Sequence, residues 1–311
     1  MKDILVNERY RIERKVADGG QAVVYSEAWD MMEDEEAIYN ELAGGGAPGF
    51  PRVFHAGEEG TCQVMVQELL GPALDDLLAY CGGRFSLKTV LLLADQAIRR
   101  VQHVHSRNIL HCDMKPENLL MGLGANGNTL YLVDYGIAGR FYPTYPQETT
   151  SADYFVGTVF YAPLNSHRRK EPSWGDDLES LGYMLVYMIK GMLPWGTPKR
   201  MINGKFTGRM QEAEETGKIK LAMTPAQICA DLPPEFATYL GYAQSLPYGT
   251  RPDYAYLRRL FRRLFLRRGF RDIISMDSEI RESGTLSIYF YVVTSPELVS
   301  VLNSLEVFSN I

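Results

Sequence analysis

A polar segment followed by a hairpin pattern constrains the fold of this chain more than any other feature. The segment runs from His111 to Asn118, and Asp134 follows it after two apolar runs, 119–121 and 130–133. These runs read as strands, with a glycine- and asparagine-rich turn between them. Because the outer ends of an antiparallel pair lie side by side, Asn118 and Asp134 can share one cation, and their oxygens are ligands that Mg²⁺ prefers. The alternative is a chance hairpin whose polar ends are both solvated.

The rest of the chain divides into a strand-rich start and a helical remainder. Strand patterns dominate the first 70 residues, interrupted by one short acidic helix. Beyond them, Ser86 can cap a helix to about Val104, and 177–189 is apolar on nearly all sides, as in a buried helix. We therefore predict an α+β fold made of a small antiparallel-sheet lobe (1–70), a larger mainly helical lobe (71–275) and a C-terminal extension (276–311).

The extension carries two patterns of its own. Residues 286–293 predict a strand, and 296–308 predict a helix. The segment could dock on the large lobe or recruit a partner, and its sequence leaves both open.

Composition and charge exclude several classes of function. The chain has 46% hydrophobic and 23% charged residues, as ordinary globular proteins do, and its net charge of −6 argues against general nucleic-acid binding. No apolar run is long enough to span a membrane, and the N-terminus lacks an apolar targeting core. Its four cysteines suggest neither a metal site nor a disulfide framework. We therefore expect a cytoplasmic or nuclear protein.

Several segments together carry a resemblance to a known family. They are Glu68–Pro72, Phe85–Asp95, His111–Gly122, Gly157–Ala162, Asp176–Tyr183, Leu193–Trp195 and Pro252–Leu257. On these segments the chain resembles the casein kinase I family of serine/threonine protein kinases, from about Tyr10 to about Phe270. The resemblance implies a two-lobed fold, the use of ATP with magnesium, and acidic or already phosphorylated protein substrates. A small-molecule kinase of the aminoglycoside phosphotransferase type is the alternative, because it shares the aspartate and asparagine spacing.

Roles for individual residues follow from this resemblance. Asp113 would accept the proton of the substrate hydroxyl, Lys115 would reach the transferred phosphate, and Thr158 would lie near both. Asn118 and Asp134 would bind the magnesium. The residues implied for the ATP site are Val16, Gly19, Val24, Glu68, Leu70, Leu120 and Val133.

Two departures from the family pattern affect the ATP site. The glycine-rich loop, normally Gly-x-Gly-x-x-Gly, reads Ala17–Ala22 here and keeps only Gly19 of its three glycines. The lysine of the third strand is missing, because no lysine occurs between Lys15 and Lys88. Its partner glutamate would be Glu35, but only nine residues separate Tyr25 from Glu35, too few for a turn, a strand and a helix start. Either the sheet is one strand short or residues 26–30 form a replacement.

Three hypotheses fit these observations. The intact set Asp113, Lys115, Asn118 and Asp134 favours a working but weakened protein kinase. The absent lysine and the altered loop favour a pseudokinase, which binds partners without transferring phosphate. An incomplete gene model, with an omitted exon, would also produce the short first lobe.

Overall fold

The chain folds into two lobes of different composition, as the sequence predicts. The computed structural model describes residues 5–6, 10–11, 28–59, 62–142, 155–196, 209–271 and 291–293. The smaller lobe contains antiparallel strands and one long helix, and the larger lobe is mainly helical. The prediction of a two-lobed α+β fold is confirmed.

The small lobe contains antiparallel strands and a helix that packs on two of them. Its elements are β1 (Leu5–Val6), β2 (Tyr10–Arg11), α1 (Ala28–Ala43), β3 (Val53–Glu59) and β4 (Cys62–Gln67). Strand β1 pairs with β2, and β3 pairs with β4, both antiparallel. Helix α1 contacts both β3 and β4.

The large lobe follows directly and is dominated by helices. Its elements are α2 (Leu74–Tyr80), α3 (Leu87–Ser106), β5 (Ile109–Leu110), β6 (Leu119–Met121), β7 (Leu130–Leu132), β8 (Gly139–Arg140), α4 (Leu164–His167), α5 (Trp174–Lys190), α6 (Arg209–Ala222), α7 (Pro225–Ile228), α8 (Pro234–Ser245) and α9 (Tyr254–Arg267). A last strand, β9 (Tyr291–Val293), lies in the C-terminal extension.

Helices α3 and α5 form the centre of the large lobe. The Ser86 hydroxyl caps α3 by accepting a hydrogen bond from the Thr89 amide at 3.2 Å, as the sequence predicts. One face of α3 is fully buried, and α5 is buried along nearly its whole length. Helix α5 contacts α3 on one side and α8 on another, so both helices can hold the loops that follow α3 in fixed positions. None of the helices in the described ranges is long and apolar enough to cross a membrane.

The region of the missing third strand is only partly described. Residues 28–30 begin α1, so they do not form the replacement strand that the sequence left open for residues 26–30. That alternative is wrong for these three residues, because they already form the first turn of α1, which begins at Ala28. The predicted ATP-site residues Val16, Gly19 and Val24 lie outside the described residues.

Candidate active site

The predicted hairpin forms and brings its two polar ends together. Strands β6 and β7 pair antiparallel, with Leu119 opposite Leu132 and Met121 opposite Leu130. Just beyond the pair, the Val133 amide donates a 3.0 Å hydrogen bond to the Asn118 main-chain oxygen. Asp134 is the next residue, so it lies beside Asn118 as the spacing requires.

The Asp113 carboxylate lies at the centre of the polar cluster and is held at both oxygens. Its Oδ1 accepts hydrogen bonds from the Thr158 amide (2.9 Å) and the Thr158 hydroxyl (2.7 Å). Its Oδ2 accepts one from the Lys115 ammonium at 2.6 Å. Burial opposes ionisation of this carboxyl, but Lys115 and the Thr158 hydroxyl together hold its pKa below the usual value. Asp113 is therefore a fixed carboxylate at neutral pH, although only 8% of the residue is exposed.

A glycine allows the segment carrying Thr158 to approach this closely. Gly157 has a φ of +91°, in the region that side chains rarely adopt. A Cβ atom there would lie 2.8 Å from the main-chain oxygen of Cys112. Only glycine therefore lets Thr158 reach Asp113, which gives a physical reason for the Gly157–Thr158 pair.

Lys115 lies between the two aspartates. Its ammonium is 2.6 Å from Asp113 Oδ2 and 3.9 Å from Asp134 Oδ2. Burial alone would lower the pKa of this amine, but the two carboxylates outweigh it and raise the pKa. Lys115 is thus a permanent positive charge, partly open to solvent, where an incoming phosphate could reach it.

Asn118 and Asp134 can act as cation ligands. The Asn118 side-chain nitrogen donates to the Asp113 main-chain oxygen at 3.0 Å, which leaves the amide oxygen as the atom that can bind a metal. No cluster of three histidine, cysteine or acidic side chains that could hold an ion alone is found in the described part of the chain. Two protein oxygens suit Mg²⁺, which usually takes its remaining ligands from water and substrate phosphates.

A buried aspartate fixes the loop that carries Asp113. Asp177, at the start of α5, accepts hydrogen bonds from the amides of His111 (2.8 Å) and Cys112 (2.9 Å). Burial would raise the pKa of Asp177, but the hydrogen bond from His105 at 2.8 Å and the nearby amides lower it overall. These bonds stabilise Cys112 at a φ of 65°, a conformation that costs energy for a residue with a side chain. Asp177 lies in the segment Asp176–Tyr183 that carries the family resemblance. His105 was missed, because it looks like one more residue on a buried helix face.

Helix α1 reaches the same site from the small lobe. The Tyr39 hydroxyl accepts a hydrogen bond from the Asp134 amide (2.8 Å), and Glu35 accepts one from the Tyr135 amide (3.0 Å). Burial and the nearby Asp134 charge raise the pKa of Glu35 to about 7. Within the described ranges no lysine or arginine forms an ion pair with Glu35. The Tyr135 amide is therefore one group that positions the Glu35 carboxyl beside Asp134.

The described members of the predicted ATP site fall into two groups. Leu70, Leu120 and Val133 pack together in one buried apolar cluster with Ala73 and Tyr131. Glu68 is not a member of that cluster, and its carboxylate accepts a hydrogen bond from the Arg52 amide at 3.3 Å. Glu68 and Leu70 lie on the segment between β4 and α2, where the main chain passes from the small lobe to the large lobe.

Sequence reasoning missed one further residue near the site, Lys220. This lysine of α6 is fully buried, and its ammonium donates to the main-chain oxygens of Val159 (3.0 Å) and Ala162 (2.7 Å). The rings of Tyr183 and Trp195 lie 4.9 and 4.8 Å from the ammonium. Burial lowers the pKa of this amine well below its usual value. Lys220 thereby fixes the segment that begins with Thr158.

The structure thus combines two lobes, an aspartate–lysine pair, and an asparagine and an aspartate at the end of a hairpin. Residues 25–237 match the family model of the protein kinase domain. The chain belongs to the protein kinase family.

Proposed function

We propose that this protein transfers the γ-phosphoryl group of ATP to serine or threonine of acidic protein substrates, as a casein kinase I-type enzyme with a reduced rate. The observation that carries the proposal is the convergence of Asp113, Lys115 and Thr158 beside the Asn118–Asp134 pair. Phosphoryl transfer requires mainly positioning and charge stabilisation, and this set supplies both.

The hydrogen bonds on Asp113 indicate which of its atoms meets the substrate. Oδ1 already accepts two hydrogen bonds from Thr158, whereas Oδ2 accepts one from Lys115. A carboxylate oxygen has two acceptor sites, so Oδ2 keeps one for the substrate hydroxyl. Asp113 then orients that hydroxyl and receives its proton, while Lys115 faces the transferred phosphate. Magnesium, bound by Asn118 and Asp134, would supply positive charge to the phosphate oxygens.

The reduced rate follows from the absent third-strand lysine. Loss of one preorganised charge contact commonly lowers a rate on the order of a hundred- to a thousandfold. Such a loss slows an enzyme without abolishing its chemistry, because the large-lobe residues are still in place.

Transfer of labelled phosphate to an acidic protein such as casein tests this proposal. The wild-type protein is expected to label the substrate slowly, and Asp134→Asn, which removes the negative charge of a proposed metal ligand, is expected to label it far less. If neither protein transfers labelled phosphate to the substrate, the enzyme proposal is overturned.

One observation favours a second candidate, a pseudokinase that acts as a binding scaffold. Within the described ranges Glu35 forms no ion pair with a lysine or arginine, and it accepts a hydrogen bond from the Tyr135 amide at 3.0 Å. A protein of this kind would show no transfer above the Asp134→Asn background in the labelling assay. Any transfer above that background would exclude this candidate.

A further inference from the structure

The C-terminal extension contributes a strand to the small lobe. Strand β9 pairs antiparallel with β4, with Gln63 opposite Val293, Val64 opposite Val292, and Met65 opposite Tyr291. The sheet order is therefore β3–β4–β9, and β4 is its central strand. The sequence had left docking on the large lobe as one alternative for this segment, and the described residues pair with the small lobe instead.

Strand β4 has the burial of a central strand. Val64, Met65 and Val66 are consecutive, so their side chains point to alternate faces of the sheet, yet all three are at most 7% exposed. Both faces of β4 are therefore covered. A strand covered on both faces needs a partner on each edge, because unpaired main-chain groups in such a place cost free energy. Strand β3 satisfies one edge, and β9 satisfies the other.

The sequence of the extension suits this position. Residues 286–293 read Leu-Ser-Ile-Tyr-Phe-Tyr-Val-Val and contain neither a charge nor a proline. A segment so rich in β-branched and aromatic residues favours strand pairing, and left exposed it would promote aggregation. Residues 291–293 of this segment pair with β4 within the chain.

We propose that the C-terminal extension supplies the small-lobe strand for which the chain has no room between Tyr25 and Glu35. The strand arrives from the opposite end of the sequence and completes the sheet by strand addition. It carries no lysine or arginine, so it restores the sheet without restoring the missing cationic contact.

Disulfide trapping in the full-length chain tests the pairing and its register. In a Cys62→Ser background, two matched pairs are made: Val64→Cys with Val292→Cys, and Gln63→Cys with Val293→Cys. Neighbouring pairs in an antiparallel ladder alternate between wide and close Cα spacing, so one of the two pairs has the closer geometry. The controls are Val66→Cys with Val292→Cys and Gln63→Cys with Tyr291→Cys. Each control is two residues out of register, which places its Cα atoms beyond the roughly 7 Å limit for a disulfide.

The outcomes separate clearly on a non-reducing gel. We expect at least one matched pair to form a disulfide within the monomer, while both controls stay reduced. Disulfides that form equally in matched and control pairs, or in neither, would overturn the proposal. Disulfide-linked dimers would also overturn it, because the strand would then come from a second copy of the chain.

Hydrogen exchange in full-length variants tests whether the strand supports the lobe. Proline lacks the amide that a ladder requires, and neighbouring residues of an antiparallel strand alternate in facing the partner. Either Val292→Pro or Val293→Pro therefore removes a bond to β4. The affected variant is expected to speed amide exchange at residues 63–65 roughly tenfold, while Val292→Thr leaves it unchanged. Unaltered exchange in both proline variants would overturn the proposal. Neither the disulfide trapping nor the hydrogen exchange needs ATP. Failure of the strand-pairing proposal is therefore distinguishable from failure of the proposed kinase activity.

Discussion

The Thr158 hydroxyl is one of the three donors that hold the Asp113 carboxylate. Thr158→Val removes this donor and keeps the amide bond, so the carboxylate loses part of its orientation. A hydrogen bond to a charged group contributes about 1.5 kcal/mol or more, which predicts a roughly tenfold lower kcat. Thr158→Ser keeps the hydroxyl and should retain most of the activity. Steady-state transfer to casein measures both, and equal kcat values for the valine and serine variants would contradict this role.

His167 makes stability depend on pH in acid solution. Burial, followed by the positive charge of Lys220, lowers its pKa from 6.5 to about 4. As the pH falls from about 6.5 to about 4, His167 becomes protonated in the unfolded chain but stays neutral in the folded chain. The free energy of unfolding therefore falls in this pH range, by about 3 kcal/mol at most. Above pH 6.5 this loss does not occur.

The variant His167→Asn isolates this effect. Its amide nitrogen can still donate to the Ala213 oxygen, which His167 Nδ1 contacts at 2.9 Å, but it does not titrate. Urea unfolding at several pH values should show the wild type losing stability relative to this variant below pH 6.5. If the free energies of unfolding of the two proteins differ by the same amount at every pH down to 4.5, His167 is not the source of the pH dependence.

At the scale of elements, α6 and the segment after Gly157 are joined through Lys220. Lys220→Met leaves the oxygens of Val159 and Ala162 without their donor and leaves the buried Glu179 without a nearby positive charge. We expect a loss of about 2–4 kcal/mol in the free energy of unfolding. Activity should fall as well, because Thr158 directly precedes Val159.

Lys218 offers a matched control on the same helix. Its ammonium pairs with Glu214 at 2.8 Å, and both side chains are about 70% exposed. Exposed pairs of this kind contribute little, so Lys218→Met should leave the urea midpoint unchanged. If Lys220→Met and Lys218→Met unfold at the same urea concentration, Lys220 does not fix the segment.

Elements set by local patterns were the ones that the sequence predicted well. The β6–β7 hairpin follows from two apolar runs and a glycine-rich turn, and the start of α3 follows from the cap at Ser86. Residues 28–30 show where this reasoning stopped. They belong to α1, although the sequence had left a replacement strand at residues 26–30 as one alternative. The family resemblance indicates which strand is missing, but it does not indicate what structure these residues form instead.

At the scale of the whole molecule, contacts between distant segments could not be predicted. Asp113, Asn118 and Asp134 were found because they lie within a single motif and its hairpin. Lys220 meets Val159 across about sixty residues, and β9 meets β4 across more than two hundred, without any shared pattern. Such contacts depend on how the helices and strands pack against one another after they form. A linear sequence shows an uncharged strand pattern, but it does not show which distant strand or main-chain oxygen will be its partner.

We propose that Asp113, Lys115, Asn118 and Asp134 together form one site for magnesium and ATP. Thermal unfolding with increasing ATP, with and without Mg²⁺, measures this directly, because a ligand of the native state must raise the midpoint. We predict a rise for the wild type that requires Mg²⁺ and is much smaller for Asp134→Asn. A wild-type midpoint that does not move, or an equal rise in both proteins, would contradict the claim.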